Sequence, residues 1–125
     1  MKKLSESQIK LLHSILIEET GGLDGLRDES LFKSAIYSPF QTFDGEPLYP
    51  TIESRAARTC FALINNHPFL DGNKRIGILT MLTMLEMNGI ILDYNEDELI
   101  EIGLNVASGK MDYAQLLKWI LDKEK

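Results

Sequence analysis

Residues 67–75 read His-Pro-Phe-Leu-Asp-Gly-Asn-Lys-Arg. His67 is the one group in this stretch whose unperturbed pKa suits a general base near neutral pH. Asp71 offers a hard oxygen of the kind Mg²⁺ takes when phosphates complete its shell. Gly72 lets a backbone approach a ligand closely, and Asn73, Lys74 and Arg75 follow it into what should be the start of a helix. Free N–H groups and the positive end of the macrodipole favour an anion there. Cations in a first helical turn cost about 0.3–1 kcal/mol each, so Lys74 and Arg75 are misplaced unless an anion joins them. A base, a metal ligand, an anion cradle and an arginine clamp are the parts needed to handle a polyphosphate. The same residues also suit a plain helix–helix connection, with Asp71 as the N-cap and both cations solvated, and no single one of them is diagnostic.

The elements that must position this stretch are helices. Ser5 and Gln8, with Leu4 and Ile9 around them, form a capping box and hydrophobic staple opening a helix with Ile9, Leu12, Leu16 and Ile17 inward, ended by Gly21, Gly22 and Gly25. A second helix spans about Asp28 to Tyr37 and stops at Pro39. Residues 39–50 hold three prolines and an Asp44-Gly45 turn among large apolar side chains, which predicts a loop or small hairpin. Helix three is expected from about Thr51 to Asn65, and helix four from about Gly72 to Asn88, with Gly89 as its left-handed stop. Ile90 to Tyr94 could extend briefly. Helix five starts at Asn95, with three acids in its first turn, and ends at Gly109, and helix six is capped by Asp112 and Gln115. The expectation is one all-α domain, residues 1–125, of about six helices around an apolar helix four.

At 125 residues and a net charge of −6, the chain has room for one core and lacks the basic face that DNA or RNA backbones select. The charge is uneven: residues 51–75 sum to +2, from Arg55, Arg58, Lys74 and Arg75 against Glu53 and Asp71, while both flanking regions are acidic. Cys60 is the only cysteine, so no internal disulfide forms, and it reads as a small buried hydrophobe. The apolar run from Ile76 to Leu85 is about half the ~20 residues of a membrane span, and no secretory leader is evident, so a cytoplasmic protein is expected. Met81, Met84 and Met87 read as core filling, and His13 as structural or solvated. A surface ion pair with Glu53 or another acid is the default for Arg55 and Arg58, with a role in phosphate or partner binding as the alternative.

The 67–75 stretch resembles the signature of the Fic/Doc superfamily, His-x-Phe-x-Asp/Glu-Gly-Asn-Gly/Lys-Arg, and within it the death-on-curing (Doc) branch. Gly21-Gly-Leu-Asp-Gly-Leu-Arg-Asp28, the Leu31–Pro39 helix, Leu48-Tyr-Pro50, Ala56-Ala57, Asn66 and Asn88-Gly89 are similar to the Doc-like pattern in the same order. The resemblance implies a Fic fold and transfer of part of ATP, with Mg²⁺, to a protein hydroxyl. By position, His67 would be the base and Asp71 the Mg²⁺ ligand. Gly72, Asn73 and Lys74 would line the anion cradle, Arg75 would bind and neutralise phosphate, and Phe69 would anchor the loop. Members that transfer nucleotides usually carry a second glycine where Lys74 stands. Doc-like members share the lysine, which implies phosphoryl transfer to a Ser or Thr of a translation factor such as elongation factor Tu. AMP transfer is the alternative, and Gly72, where the branch prototype has alanine, keeps part of that pattern. A non-catalytic module that binds nucleotide or partner is the third reading. The 39–50 region would be a flap that aligns the target segment, or lid packing over helix four. No inhibitory Ser/Thr-x-x-x-Glu-Gly/Asn string occurs, the nearest being Ser14 to Glu18 followed by Glu19, so a Phd-like antitoxin is the restraint the resemblance implies.

Overall fold

The computed structural model describes residues 1–125. Six helices form, all but α4 where capping residues predict them: α1 (Glu6–Thr20), α2 (Glu29–Tyr37), α3 (Ile52–Asn66), α4 (Asn73–Met87), α5 (Glu96–Ala107) and α6 (Tyr113–Lys123). Ser5, Thr51, Asn95 and Asp112 each close a reciprocal capping box, and Asp28 accepts the Leu31 N–H. These bonds satisfy N–H groups that a helix start otherwise leaves unpaired. Pro39 does not stop α2 outright; the chain runs on through a 3₁₀ turn, Ser38–Phe40. The only regular strands, β1 (Thr42–Phe43) and β2 (Glu46–Pro47), pair antiparallel across Asp44-Gly45, both with positive φ as a tight hairpin of this kind requires. Ile90 to Tyr94 contributes a single bridge, between Leu92 and Glu124.

Two apolar clusters fill the interior. Ile9, Phe32, Ala35, Leu63, Phe69 and Ile76 join α1 and α2 to one side of α3 and α4. Ala56, Cys60, Met81, Leu85, Leu116 and Ile120 join α5 and α6 to the other. The centre is therefore the α3–α4 pair, not α4 alone: α3 touches α2, α4, α5 and α6. Helix α4 is apolar nearly all round because Leu79 and Leu82, on its remaining side, line a surface groove instead of the core. Met81 and Met84 are buried as core filler, and burial pushes the Cys60 thiol up to about 12. No helix is long and apolar enough to cross a membrane.

The contact that sets the α3–α4 spacing is Gly77. A methyl group there would stand 2.8 Å from Ile64 Cγ1 and 3.2 Å from the Cys60 carbonyl oxygen, so only glycine permits this approach. Ala is the better helix former by about 1 kcal/mol. Forcing a methyl against backbone costs about 1–3 kcal/mol. Gly77→Ala is expected to be net destabilising by roughly 1 kcal/mol, read as a lower urea midpoint with an unchanged slope.

Candidate functional site

Helix α3 ends at His67, whose φ of 52° and ψ of 53° put it in the left-handed region that a non-glycine residue enters only under constraint. The constraint comes from Arg27. Its guanidinium donates to the carbonyls of His67 (Nε, 2.7 Å) and Asn66 (3.0 Å), and the Arg27 and Asp28 N–H groups donate to Pro68. Three carbonyls around the end of α3 are thus paired by the segment leading into α2. Leu70 N–H donates to Gly25, and Leu26 bridges Phe69 in antiparallel fashion, so residues 25–28 run as a strap against 67–70. Phe69 is fully enclosed against Phe32 and His13, as an anchor of the loop to the core should be.

Helix α4 starts differently from expectation. Its N-cap is Gly72, at φ 80°, and no side chain caps it. Asp71 is not the cap: its Oδ2 accepts the N–H of Leu23 at 2.7 Å, and neither of its carboxylate oxygens accepts an α4 amide. The Asn73 side chain is also spent elsewhere. It is buried and bonds both ways with Phe69, accepting from its N–H at 2.9 Å and donating to its carbonyl at 3.0 Å. Asn73 therefore closes the loop upon itself, and only its backbone is left for an anion. The glycine at position 72 is explained by backbone shape, since φ is positive and a Cβ would meet Ile17 at 3.1 Å, whatever reaction the site runs.

A polar cavity of about 510 Å³ opens over this junction. His67, Asp71, Gly72, Asn73, Lys74 and Arg75 all line it, so every residue singled out by type and spacing meets at one place. Ile64, Asn65 and Ala107 complete the wall. Lys74 and Arg75 have no acidic partner, because the ion pairs of the chain lie elsewhere. The first turn of α4 holds no acid either. Two unneutralised cations at the positive end of a helix make a local field that only an anion relieves. No three metal-ligating side chains cluster anywhere in the chain. Asp71, with Oδ2 committed and Oδ1 without a protein partner, fits a Mg²⁺ whose other ligands are phosphate and water, not a metal held by protein alone.

Residues 3–85, which include the nine-residue stretch His67 to Arg75, are matched by a family model described as Fic/DOC family. The chain belongs to the Fic/DOC family. Its all-α architecture with one small hairpin is the Fic fold. The chain is also 33% identical over 94 residues to "Toxin Doc" of Mycolicibacterium smegmatis (strain ATCC 700084 / mc(2)155), covering 74% of this chain and 72% of that protein.

Arg27, Leu23 and His13 are the site-supporting residues of this Fic/DOC chain that reading by chemistry passed over. Arg27 and Leu23 lie inside the Gly21–Asp28 segment that carries part of the family likeness, but no local rule assigns them to residues 67–71. Arg55 and Arg58 form no ion pair. Arg55 donates to the Tyr49 carbonyl and lies over Phe40, and Arg58 rests over Tyr49 and Phe61. In the 39–50 region Phe40 packs against the larger core cluster, whereas Phe43, beside the hairpin turn, is 75% exposed. Beside the loop, the Asp24 carboxyl is held below its ordinary range, chiefly by the Ser14 hydroxyl, with desolvation opposing and the Gly25 N–H and His13 assisting. Asn73→Ala removes both bonds that close the motif loop and leaves buried Phe69 groups unpaired, so it should cost about 2 kcal/mol in chemical denaturation. Nucleotide affinity is expected to fall with it, measured by calorimetry on the folded fraction.

Proposed function

We propose that this chain is a Doc-like toxin enzyme that transfers the γ-phosphoryl group of ATP to a Ser or Thr hydroxyl of a protein, a translation factor such as elongation factor Tu. What carries the reading is the meeting, in one cavity, of an exposed imidazole with two unneutralised cations at a helix N-terminus. Lys74 and Arg75, with the free N–H groups of α4, bind the phosphates and neutralise charge that spreads over them as the group moves. His67, held at the end of α3 by Arg27, accepts the proton of the attacking hydroxyl as the new O–P bond forms and the bond to ADP breaks. Bound at Asp71 Oδ1, Mg²⁺ would supply further charge neutralisation on the same phosphates. Lys74 lies with its stem along α5, its Cβ and Cδ 3.5 and 3.9 Å from where a Gly103 methyl would be, and it lines both the polar cavity and the apolar groove beside it. A lysine at this position, where nucleotide-transferring members usually carry a second glycine, supports phosphoryl over AMP transfer.

The hairpin supports a protein substrate: it stands clear of the core with an exposed strand edge, which an extended target segment could join. Restraint by a separate, Phd-like antitoxin chain is part of the same proposal. It is supported by an apolar groove of about 500 Å³ between α4 and α5, walled by Leu79, Leu82, Leu99, Ile100 and Leu104, which opens beside Lys74 and Arg75.

Purified chain incubated with elongation factor Tu and either γ- or α-labelled ATP tests the reading. Transfer of the γ label alone is expected, and His67→Ala should lower it by about 10²–10⁴-fold. An α label on the target, with the added mass of AMP, would replace phosphoryl transfer by AMP transfer. With neither label transferred, and growth inhibition unchanged by His67→Ala, the chain acts by binding alone. Ile100→Glu, on the exposed groove wall, should release a co-expressed antitoxin in a pull-down while leaving γ-label transfer within about twofold of wild type.

A further inference from the structure

His13 occupies the position on α1 midway between Ile9 and Ile17, four residues from each, and like them it faces inward. It is completely buried, a costly place for an imidazole unless its nitrogens do something a leucine could not. Its ring stacks on Phe69, with centroids 3.7 Å apart and planes 13° from parallel. Nε2 lies 2.7 Å from the backbone carbonyl oxygen of Asp71, which can only accept, so Nε2 carries the hydrogen. Nδ1 faces Asp24 Oδ1 at 3.3 Å without an aligned hydrogen bond.

The carbonyl that His13 holds belongs to the peptide joining Asp71 to Gly72. No peptide bond in the chain is cis, and in a planar trans peptide the C=O and N–H vectors point in opposite directions. Pinning the Asp71 oxygen inward to His13 therefore aims the Gly72 N–H outward, on the side of the cavity that Gly72 lines. The other end of Asp71 is pinned as well, by the Leu23 N–H on Oδ2, with Gly22 so close that a methyl there would stand 3.2 Å from Asp71 Cβ. None of these holding groups lies within residues 67–75.

We propose that His13 is a positioning residue for the phosphate site: its Nε2–H fixes the Asp71–Gly72 peptide so that the Gly72 N–H points at a bound phosphate before the ligand arrives. The proposal rests on reading the cavity as a phosphate site. The side chain itself touches no ligand. An imidazole reaches the carbonyl through its far nitrogen, a distance that a glutamine amide can match, whereas an asparagine amide corresponds to the near nitrogen and falls short.

Three variants separate positioning from simple filling: His13→Leu, which packs but donates nothing, His13→Gln and His13→Asn. The first readout is the ¹H–¹⁵N shift of the Gly72 amide in ligand-free protein. The second is affinity for Mg²⁺–ATP and for inorganic pyrophosphate by calorimetry. His13→Leu and His13→Asn are expected to shift the Gly72 resonance and weaken both ligands by about tenfold or more, with His13→Gln returning the resonance and most of the affinity. Should His13→Leu fail to fold, the Gln and Asn pair carries the comparison. Folded Leu or Asn variants that keep the wild-type Gly72 resonance and affinities, whatever their melting temperature, would reduce His13 to a core residue and overturn the proposal. Wild-type protein that binds neither ligand would instead overturn the reading of the cavity, while the Gly72 resonance would still report whether His13 holds the peptide.

Discussion

The close packing of α3 on α4 is the constraint from which the rest of the molecule follows. Because position 77 carries no side chain, the two helices approach until Ile64 and the Cys60 carbonyl fill the space a methyl would take. With the axes that near, only six residues, 67–72, separate the end of one helix from the start of the other. That packing keeps the ends of the turn together. The exhausted, carbonyl-rich end of α3 and the amide-rich start of α4 must lie side by side, and whatever the turn carries is held between them. His67 and residues 72–75 are neighbours because of how two helices pack, and the cavity is the gap left where they meet.

Short turns are strained, and this one is held from outside. Left-handed backbone at His67 and at Gly72 brackets the turn, and the α1–α2 connection supplies the donors that make it pay. Arg27 takes the carbonyls at one end, Leu23 the carboxylate at the other, and the Asn73 amide closes the middle against Phe69.

Much of this was legible in the residues. Each of the five side-chain-capped helices announces itself by a Ser, Thr, Asp or Asn at the cap position, a local signal that tertiary packing did not override. The cavity residues were legible because their misplacement is local too: two cations in a first helical turn need no fold to look wrong. Asp71 was misread for the opposite reason. A carboxylate before a helix has two possible sets of amides, its own helix's and a distant loop's, and only the fold decides between Leu23 and the start of α4. His13 is similar, since its place between Ile9 and Ile17 marks an inward face, but its partner lies 58 residues away. For Arg55 and Arg58, ion pairing with an acid was expected, and carbonyl and aromatic partners took both.

The chain ends are tied down at the far end of α4. Asn88 exchanges hydrogen bonds with both backbone groups of Lys2, and residues 91–93 pair with Lys123 and Lys125. A 15-residue helix is about 22 Å long, so this knot lies that far along the axis from Gly72. Both ends therefore emerge at the pole opposite the polar cavity. A fluorophore, an affinity handle or a tethering surface attached at either end would leave the cavity mouth unobstructed.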